Sequence, residues 1–265
     1  MKSIFNSILS ALFLLALMLA CNPKEVDPSE TSSVILEFDN RVGAQKLALG
    51  TTTYQNAGGE AFTVTTLNYF ISNVALRKAD GSVIQFPDQY FLIRQADAAT
   101  WEPELKDVPL GDYNAITFTI GVDSARSASE IDARTGVLDI TSYGTDGMYW
   151  SWNSGYIFMK LEGTSPVAPL NSAGQRAFQY HVGGYGGYTS PAPNNLRTVT
   201  LPITDALKVS ANKKPTVHLI ANLLKVFDGS TPLRLAQTHS VHSPAAAGPI
   251  ANNYVQMFSV DHVHN

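Results

Sequence analysis

The segment Tyr113-Asn-Ala-Ile-Thr-Phe-Thr-Ile-Gly-Val122 decides the fold class of this chain. Ile116, Phe118 and Ile120 recur at every second position, so an extended backbone places all three on one face. Strict alternation of this kind is typical of a β-strand with one buried face. Helical periodicity is scarce in the rest of the chain, which favours an all-β fold.

Further segments with alternating apolar residues precede and follow this one along the sequence. Short helical turns are expected within residues 124–135 and 204–212, and the glycine-rich run 183–187 is expected to be a loop because paired glycines weaken a strand. Many short strands with few helical turns predict a β-sandwich of mostly antiparallel strands. The other candidate strands are 34–38, 62–64, 67–71, 156–161, 178–182, 198–203, 216–227 and 254–264.

One turn signal is specific enough to predict a hairpin. Val74 and Leu76 lead into Asp80-Gly81, which is followed by Val83 and Phe86. Glycine tolerates the positive φ that a tight hairpin turn requires. We therefore expect the two apolar pairs to lie on neighbouring antiparallel strands.

The N-terminus has the organisation of an export signal. A short polar start with Lys2 precedes an apolar run over residues 8–19, and Ala20 stands just before Cys21. The run is about twelve residues long, whereas a spanning helix needs about twenty. Residues 1–20 are therefore interpreted as a lipoprotein signal peptide, with lipid attached to the thiol of Cys21.

Cys21 is the only cysteine, so lipidation would leave the mature chain without a disulfide or a thiolate metal ligand. Polar residues 21–33 predict a flexible tether, and residues 34–265 a single β domain. The expected location is the bacterial cell envelope, with the lipid in the outer membrane and the domain on its periplasmic or outer face. A net charge of −4 gives no basic surface for nucleic acid.

Six histidines are present, and five of them are candidate metal ligands. Neutral imidazole is the commonest nitrogen ligand for copper and zinc. On a strand, residues two apart leave the same face about 7 Å from each other, whereas residues three apart share a side only in a turn or helix. An ordinary surface or structural role is the alternative for each, and His218 is interpreted as a plain strand residue. The five candidates are His181, His239, His242, His262 and His264.

The densest aromatic segment is Gly147-Met-Tyr-Trp-Ser-Trp-Asn-Ser-Gly-Tyr-Ile-Phe158. An extended chain places Trp150 and Trp152 on one face beside Met148. These side chains either pack in the core, stack on sugars or shield a metal. The sequence contains no Gly-x-Ser-x-Gly elbow, His-Glu-x-x-His helix or phosphate loop, so no catalytic residue is predicted.

Several segments together resemble the MbnP-like family of copper-binding proteins, which are related to the methanobactin-associated periplasmic protein. The similar segments are Tyr69-Phe-Ile-Ser-Asn-Val-Ala-Leu76, Phe118-Thr-Ile-Gly-Val-Asp-Ser124, the aromatic segment continued through Met-Lys-Leu-Glu-Gly163, and Phe178-Gln-Tyr-His-Val-Gly-Gly184. The resemblance runs from about residue 34 to the C-terminus.

The resemblance implies an extracytoplasmic β domain in which copper lies between histidine imidazoles and a tryptophan that can be oxidised to kynurenine. It makes His181 a candidate ligand and makes Trp150, Trp152 and Met148 candidates for lining the site. Where some relatives place a histidine in the first strand, this chain has Leu36-Glu-Phe-Asp-Asn-Arg41. The other four candidate histidines would have to supply the missing ligand.

The leading hypothesis is a non-catalytic, lipid-anchored protein that captures or buffers copper. The alternative is a carbohydrate-binding or adhesion module that uses exposed aromatic residues such as Tyr185 and Tyr188. A third reading, a copper or zinc enzyme, needs an open coordination position and a nearby acid or base. Convergence of the histidines on one point would favour metal binding over the carbohydrate alternative.

Overall fold

The computed structural model describes residues 30–151, 155–188 and 190–265 of the chain. The predicted signal peptide, Cys21 and Trp152 lie outside the described residues. Residues 31–33, which the sequence assigned to the tether, belong to the first strand, where Ser32 pairs with Val108.

The described strands form two sheets. The smaller sheet has five strands, of which Thr31–Val42 and Thr216–Asn222 form a parallel pair and the other pairs are antiparallel. Its strands, in order, are β15 (Phe258–His264), β13 (Thr216–Asn222), β1 (Thr31–Val42) and β2 (Gln45–Lys46), with β7 (Glu104–Pro109) also paired to β1.

The larger sheet has ten strands and is antiparallel except where its last two strands run parallel. Its main path is β12 (Arg197–Val209), β8 (Gly111–Ile120), β4 (Ala61–Lys78), β10 (Gly155–Thr164), β11 (Ala177–Gly183) and β14 (Ser240–Val241). The strands β3 (Tyr54–Gln55), β5 (Val83–Phe86) and β6 (Phe91–Arg94) pair with β4, and β9 (Tyr149–Trp150) pairs with β10.

Helical structure in the described residues is short. The α-helices are α1 (Ser124–Ser127), α2 (Leu224–Phe227) and α3 (Gly248–Tyr254). The 3₁₀ turns are Ala98–Thr100, Ile131–Ala133, Gly136–Leu138, Ile140–Asp146 and Val255–Met257. None of the helices in the described ranges has the length and apolar composition to cross a membrane.

Alternation along the strands builds a core between the sheets. Phe38 of β1, Phe118 of β8 and Phe258 of β15 meet edge to face, with ring centroids 5.1–6.4 Å apart. On β4, Tyr69 lies in this core, whereas the next residue, Phe70, lies in a second apolar cluster. Because successive side chains leave opposite faces of a strand, the second cluster covers the outer face of the larger sheet.

The predicted all-β sandwich of mostly antiparallel strands is confirmed, and so is the hairpin, in which Val74 pairs with Phe86. The prediction of helical turns over 204–212 is wrong. There β12 continues to Val209, because Leu207 and Val209 alternate into the core and pair with β8.

Two predicted strands are partly wrong. The strand expected over 216–227 ends at Asn222, and the buried Leu223, Val226 and Phe227 have the three- and four-residue spacing of a helical face. The strand expected over 254–264 begins at Phe258, because Tyr254 ends a helix that has a proline in its first turn.

Candidate metal centre

Two histidines meet on the outer face of the larger sheet. His181 lies between the core residues Tyr180 and Val182 of β11, so its side chain points away from the core. β14 runs parallel to β11 with Tyr180 opposite Val241, which places His242 beside His181. The two Nδ1 atoms are 3.1 Å apart, and the rings meet edge to face with centroids 4.4 Å apart.

A carboxylate of β10 fixes the first of these rings. The Nε2 of His181 lies 2.7 Å from Oε1 of Glu162, and Thr66 donates a hydrogen bond to Oε2. The hydrogen bond from His181 is the main cause that holds the pKa of Glu162 below its usual value, in spite of partial burial, so Glu162 is ionised at neutral pH. When the Nε2–H of His181 donates to this carboxylate, the Nδ1 lone pair is directed at His242.

The second ring is kept neutral by its surroundings. Burial, followed by repulsion from His181, lowers the pKa of His242, so its imidazole is unprotonated at neutral pH. An ion bound tetrahedrally at about 2.0 Å holds two nitrogens about 3.3 Å apart, close to the observed separation of the Nδ1 atoms. The pair therefore fits two ligands of one transition-metal ion.

Trp150 and Met148 are buried in the second apolar cluster. The Trp150 indole lies against Gly183, where an added Cβ would be 2.7 Å from Cζ3 of the ring. Gly183 is two residues beyond His181 on the same face of β11, a spacing of about 7 Å along a strand. Trp150 thus packs against the strand that carries His181 and also belongs to an apolar cluster.

His239 does not join this pair. It precedes β14, whereas His242 follows it, and Val241 faces the core. No hydrogen bond or ring contact within the described ranges joins His239 to His181 or His242. Among the described residues, no hydrogen-bond partner reaches the buried Nδ1 of His239.

The remaining histidines form a second group on the smaller sheet. His218 of β13 pairs with His262 of β15, and their Nδ1 atoms are 3.3 Å apart. The Nε2 atoms of His262 and His264 are 2.9 Å apart, and Asp261 lies within 3.4 Å of His218. The side chain of His218 on the smaller sheet and that of His181 on the larger sheet both point away from the core between the sheets. The two histidine groups therefore lie on opposite faces of the sandwich.

The five candidate histidines therefore do not converge on one point. The structure joins His181 with His242 and His262 with His264, and leaves His239 apart. The sequence analysis did not identify three residues that belong to these two groups. For two of them, Glu162 and Asp261, no pattern in the sequence indicated a role beside the histidines. The third, His218, showed only its alternation with Val217 and Leu219, which puts its side chain outside the core.

Among the described residues, the aromatic side chains offered for sugar stacking do not form an exposed platform. Tyr185 is 7% exposed and Trp150 is 6% exposed, whereas Tyr188 is 68% exposed. A stacking site needs adjacent open ring faces. The described part of the aromatic segment is thus used for packing.

The described residues define a β-sandwich protein with paired histidines on its outer faces, an arrangement suited to transition-metal ions. The chain belongs to the MbnP family, whose model matches residues 31–243. The family is associated with copper and methanobactin and is not known as catalytic.

Among solved structures, MbnP from Methylosinus trichosporium is similar, with a TM-score of 0.51 and 18% sequence identity over 77% of this chain and 80% of that chain. At this identity the similarity shows the fold alone. No curated protein matches the sequence at a significant level.

Proposed function

We propose that the protein binds one copper ion between His181 and His242 and captures or buffers copper outside the cytoplasm. The observation that carries the proposal is the 3.1 Å separation between the Nδ1 atoms of His181 and His242, with the His181 ring oriented by Glu162. Metal-bound histidines usually donate their second N–H to a carboxylate, and His181 has that partner in place. Membership of a copper-associated family supports the choice of metal.

The surroundings of the pair favour copper over harder ions. Imidazole nitrogens bind copper more strongly than the other divalent first-row metals, and oxygen-preferring ions such as magnesium and calcium are poorly served by two nitrogens. Glu162, the carboxylate beside the pair, is engaged with His181 and lies 3.8 Å from the Lys160 ammonium. Glu162 therefore orients His181 and does not itself bind the ion. We propose no catalytic step.

The proposal also includes a lipid anchor on Cys21, with the segment that follows it serving as a tether to the envelope membrane. The support is the sequence alone: a short apolar run, Ala20 and then the only cysteine. A copper-binding protein tethered in this way would meet copper ions as they enter the envelope. Membrane attachment and copper binding are separable parts of the proposal.

Titration of the purified full chain with copper(II), in competition with a chromophoric chelator, tests the copper site. We expect one tightly bound copper per chain, and loss of that equivalent in His181→Ala and in His242→Ala. His239→Ala is the matched control, because among the described residues no hydrogen bond or ring contact joins its ring to the pair, so the tight equivalent should remain. A wild-type stoichiometry below one, or unchanged binding in His181→Ala, would overturn the proposal.

A further inference from the structure

We propose that His218, Asp261 and His262 form a second metal site that takes a zinc(II) ion, on the opposite face of the sandwich from His181. Its nearest side-chain atoms are two imidazole nitrogens and one carboxylate oxygen. Asp261 and His262 lie beyond residue 243, where the match to the family model ends. The site is therefore a feature of this chain's C-terminal strand, and it does not depend on the proposed copper site.

A β-bulge brings two neighbouring residues to the same ring. Along the antiparallel pair β13 and β15, His218 is opposite His262, whereas Leu219 is opposite Val260. Asp261 is the extra residue, and a bulge of this kind redirects side chains that would otherwise alternate. As a result, both Asp261 and His262 reach the ring of His218.

The three donor atoms are spaced as ligands of one small ion. His218 Nδ1 is 3.3 Å from His262 Nδ1 and 3.4 Å from Asp261 Oδ2, and His262 Nδ1 is 2.8 Å from the same oxygen. A tetrahedral zinc with bonds of about 2.0–2.1 Å separates its ligands by about 3.3–3.4 Å. Two of the three distances match this value, and a rotation of the exposed Asp261 carboxylate adjusts the third.

Each ring also has a partner for its second nitrogen. His218 Nε2 lies 3.6 Å from Oδ2 of Asp39 and 3.7 Å from Oε1 of Glu37, and His262 Nε2 lies 2.9 Å from Nε2 of His264. At these distances the two carboxylates act on His218 through their charge, and a carboxylate near the second nitrogen of a metal-bound imidazole raises its basicity. The two Nδ1 atoms point instead at each other and at Asp261.

Charge and ligand type select a divalent ion of intermediate softness. Three carboxylates, Glu37, Asp39 and Asp261, surround the rings, and Arg41 neutralises one of them by pairing with Asp39 at 2.6 Å. The local field therefore attracts a cation. Two imidazoles with one carboxylate and an open fourth position are a common zinc donor set, whereas magnesium and calcium prefer oxygen ligands.

Zinc(II) titration of the full-length His181→Ala/His242→Ala double variant, against a chromophoric chelator, isolates this site. We expect one zinc per chain. Asp261→Asn and His262→Ala, added to the double variant, should weaken binding by at least about 100-fold, since even loss of a second-sphere partner costs about 10–100-fold. Absence of zinc binding in the double variant overturns the proposal.

Two further variants exclude simple binding by exposed histidines. His264→Ala removes the partner of His262 and should weaken zinc binding by about 10–100-fold. His218→Gln keeps much of the side-chain volume and should lose the site, with circular dichroism showing a folded chain. If zinc is lost in His264→Ala while Asp261→Asn or folded His218→Gln binds as before, the ion is held by the exposed pair and the proposed site is wrong.

Discussion

Trp150 and Gly183 are in a contact that only glycine permits. An alanine Cβ at position 183 would lie 2.7 Å from Cζ3 of the indole and 2.6 Å from the carbonyl oxygen of Tyr156. The backbone of β11 therefore approaches the second apolar cluster as closely as it can. This approach places the tryptophan next to the strand that carries His181.

Gly183→Ala tests the contact. We expect the free energy of unfolding to fall by about 1–3 kcal/mol, the usual cost of overpacking a closed site. Urea unfolding measures this change. Gly248→Ala is the control, because its Cβ would meet only Asn195 Oδ1, at 3.9 Å. Equal effects of the two substitutions would contradict the close approach.

Glu162→Gln should weaken copper(II) binding by about 10–100-fold without unfolding the chain, because the amide no longer polarises the His181 ring as a carboxylate does. Chelator competition measures the affinity. Thr66→Ala is the matched control, since it removes the hydrogen bond to Oε2 and leaves the Oε1 contact with His181. An affinity equal to wild type in Glu162→Gln would remove the carboxylate from the site.

Glu60 should make the fold sensitive to acid. Burial alone raises its pKa, but hydrogen bonds from the Asn56 side chain and from the backbone N–H groups of Leu235 and Ala236 outweigh it and lower the pKa below 4.5. A lowered folded-state pKa gives stability that is present above the unfolded value and lost as the pH falls through the folded value.

The measurement is the free energy of unfolding from about pH 7 down to about pH 3 in wild type and Glu60→Gln. We expect the variant to be less stable at neutral pH by about 1.5–3 kcal/mol, the contribution of hydrogen bonds to a charged group. The difference should shrink in acid. A constant difference across this range would show that the charge of Glu60 does not matter.

Cys21→Ser should abolish incorporation of labelled fatty acid into the chain in cells. Cys21 is the only cysteine, so thioether-linked lipid has one attachment point. Wild-type chain expressed at the same level is the control. Label retained in the serine variant would rule out the proposed anchor.

The alternation of apolar and polar residues was sufficient to predict the β-sandwich, because burial of one strand face leaves a local pattern in the sequence. Ile116, Phe118 and Ile120 of β8 show this pattern. The prediction failed where a short helix shares the apolar composition of a strand, as at Leu223, Val226 and Phe227. The residues that meet at the candidate metal sites could not be predicted for a different reason. His242 meets His181 through a parallel pairing, and Asp261 meets His218 through a bulge, and neither strand partners nor register can be read from one sequence.

The parallel pairing of β11 with β14 also determines when the proposed copper ligands, His181 and His242, can act together. His181 and His242 are 61 residues apart, so an unfolded chain holds their imidazoles together only at the entropic cost of closing that loop. Metal affinity is thus gained on folding. A chain exported unfolded would leave the cytoplasm without its ion, and the metal supply of the compartment in which it folds would determine what it carries.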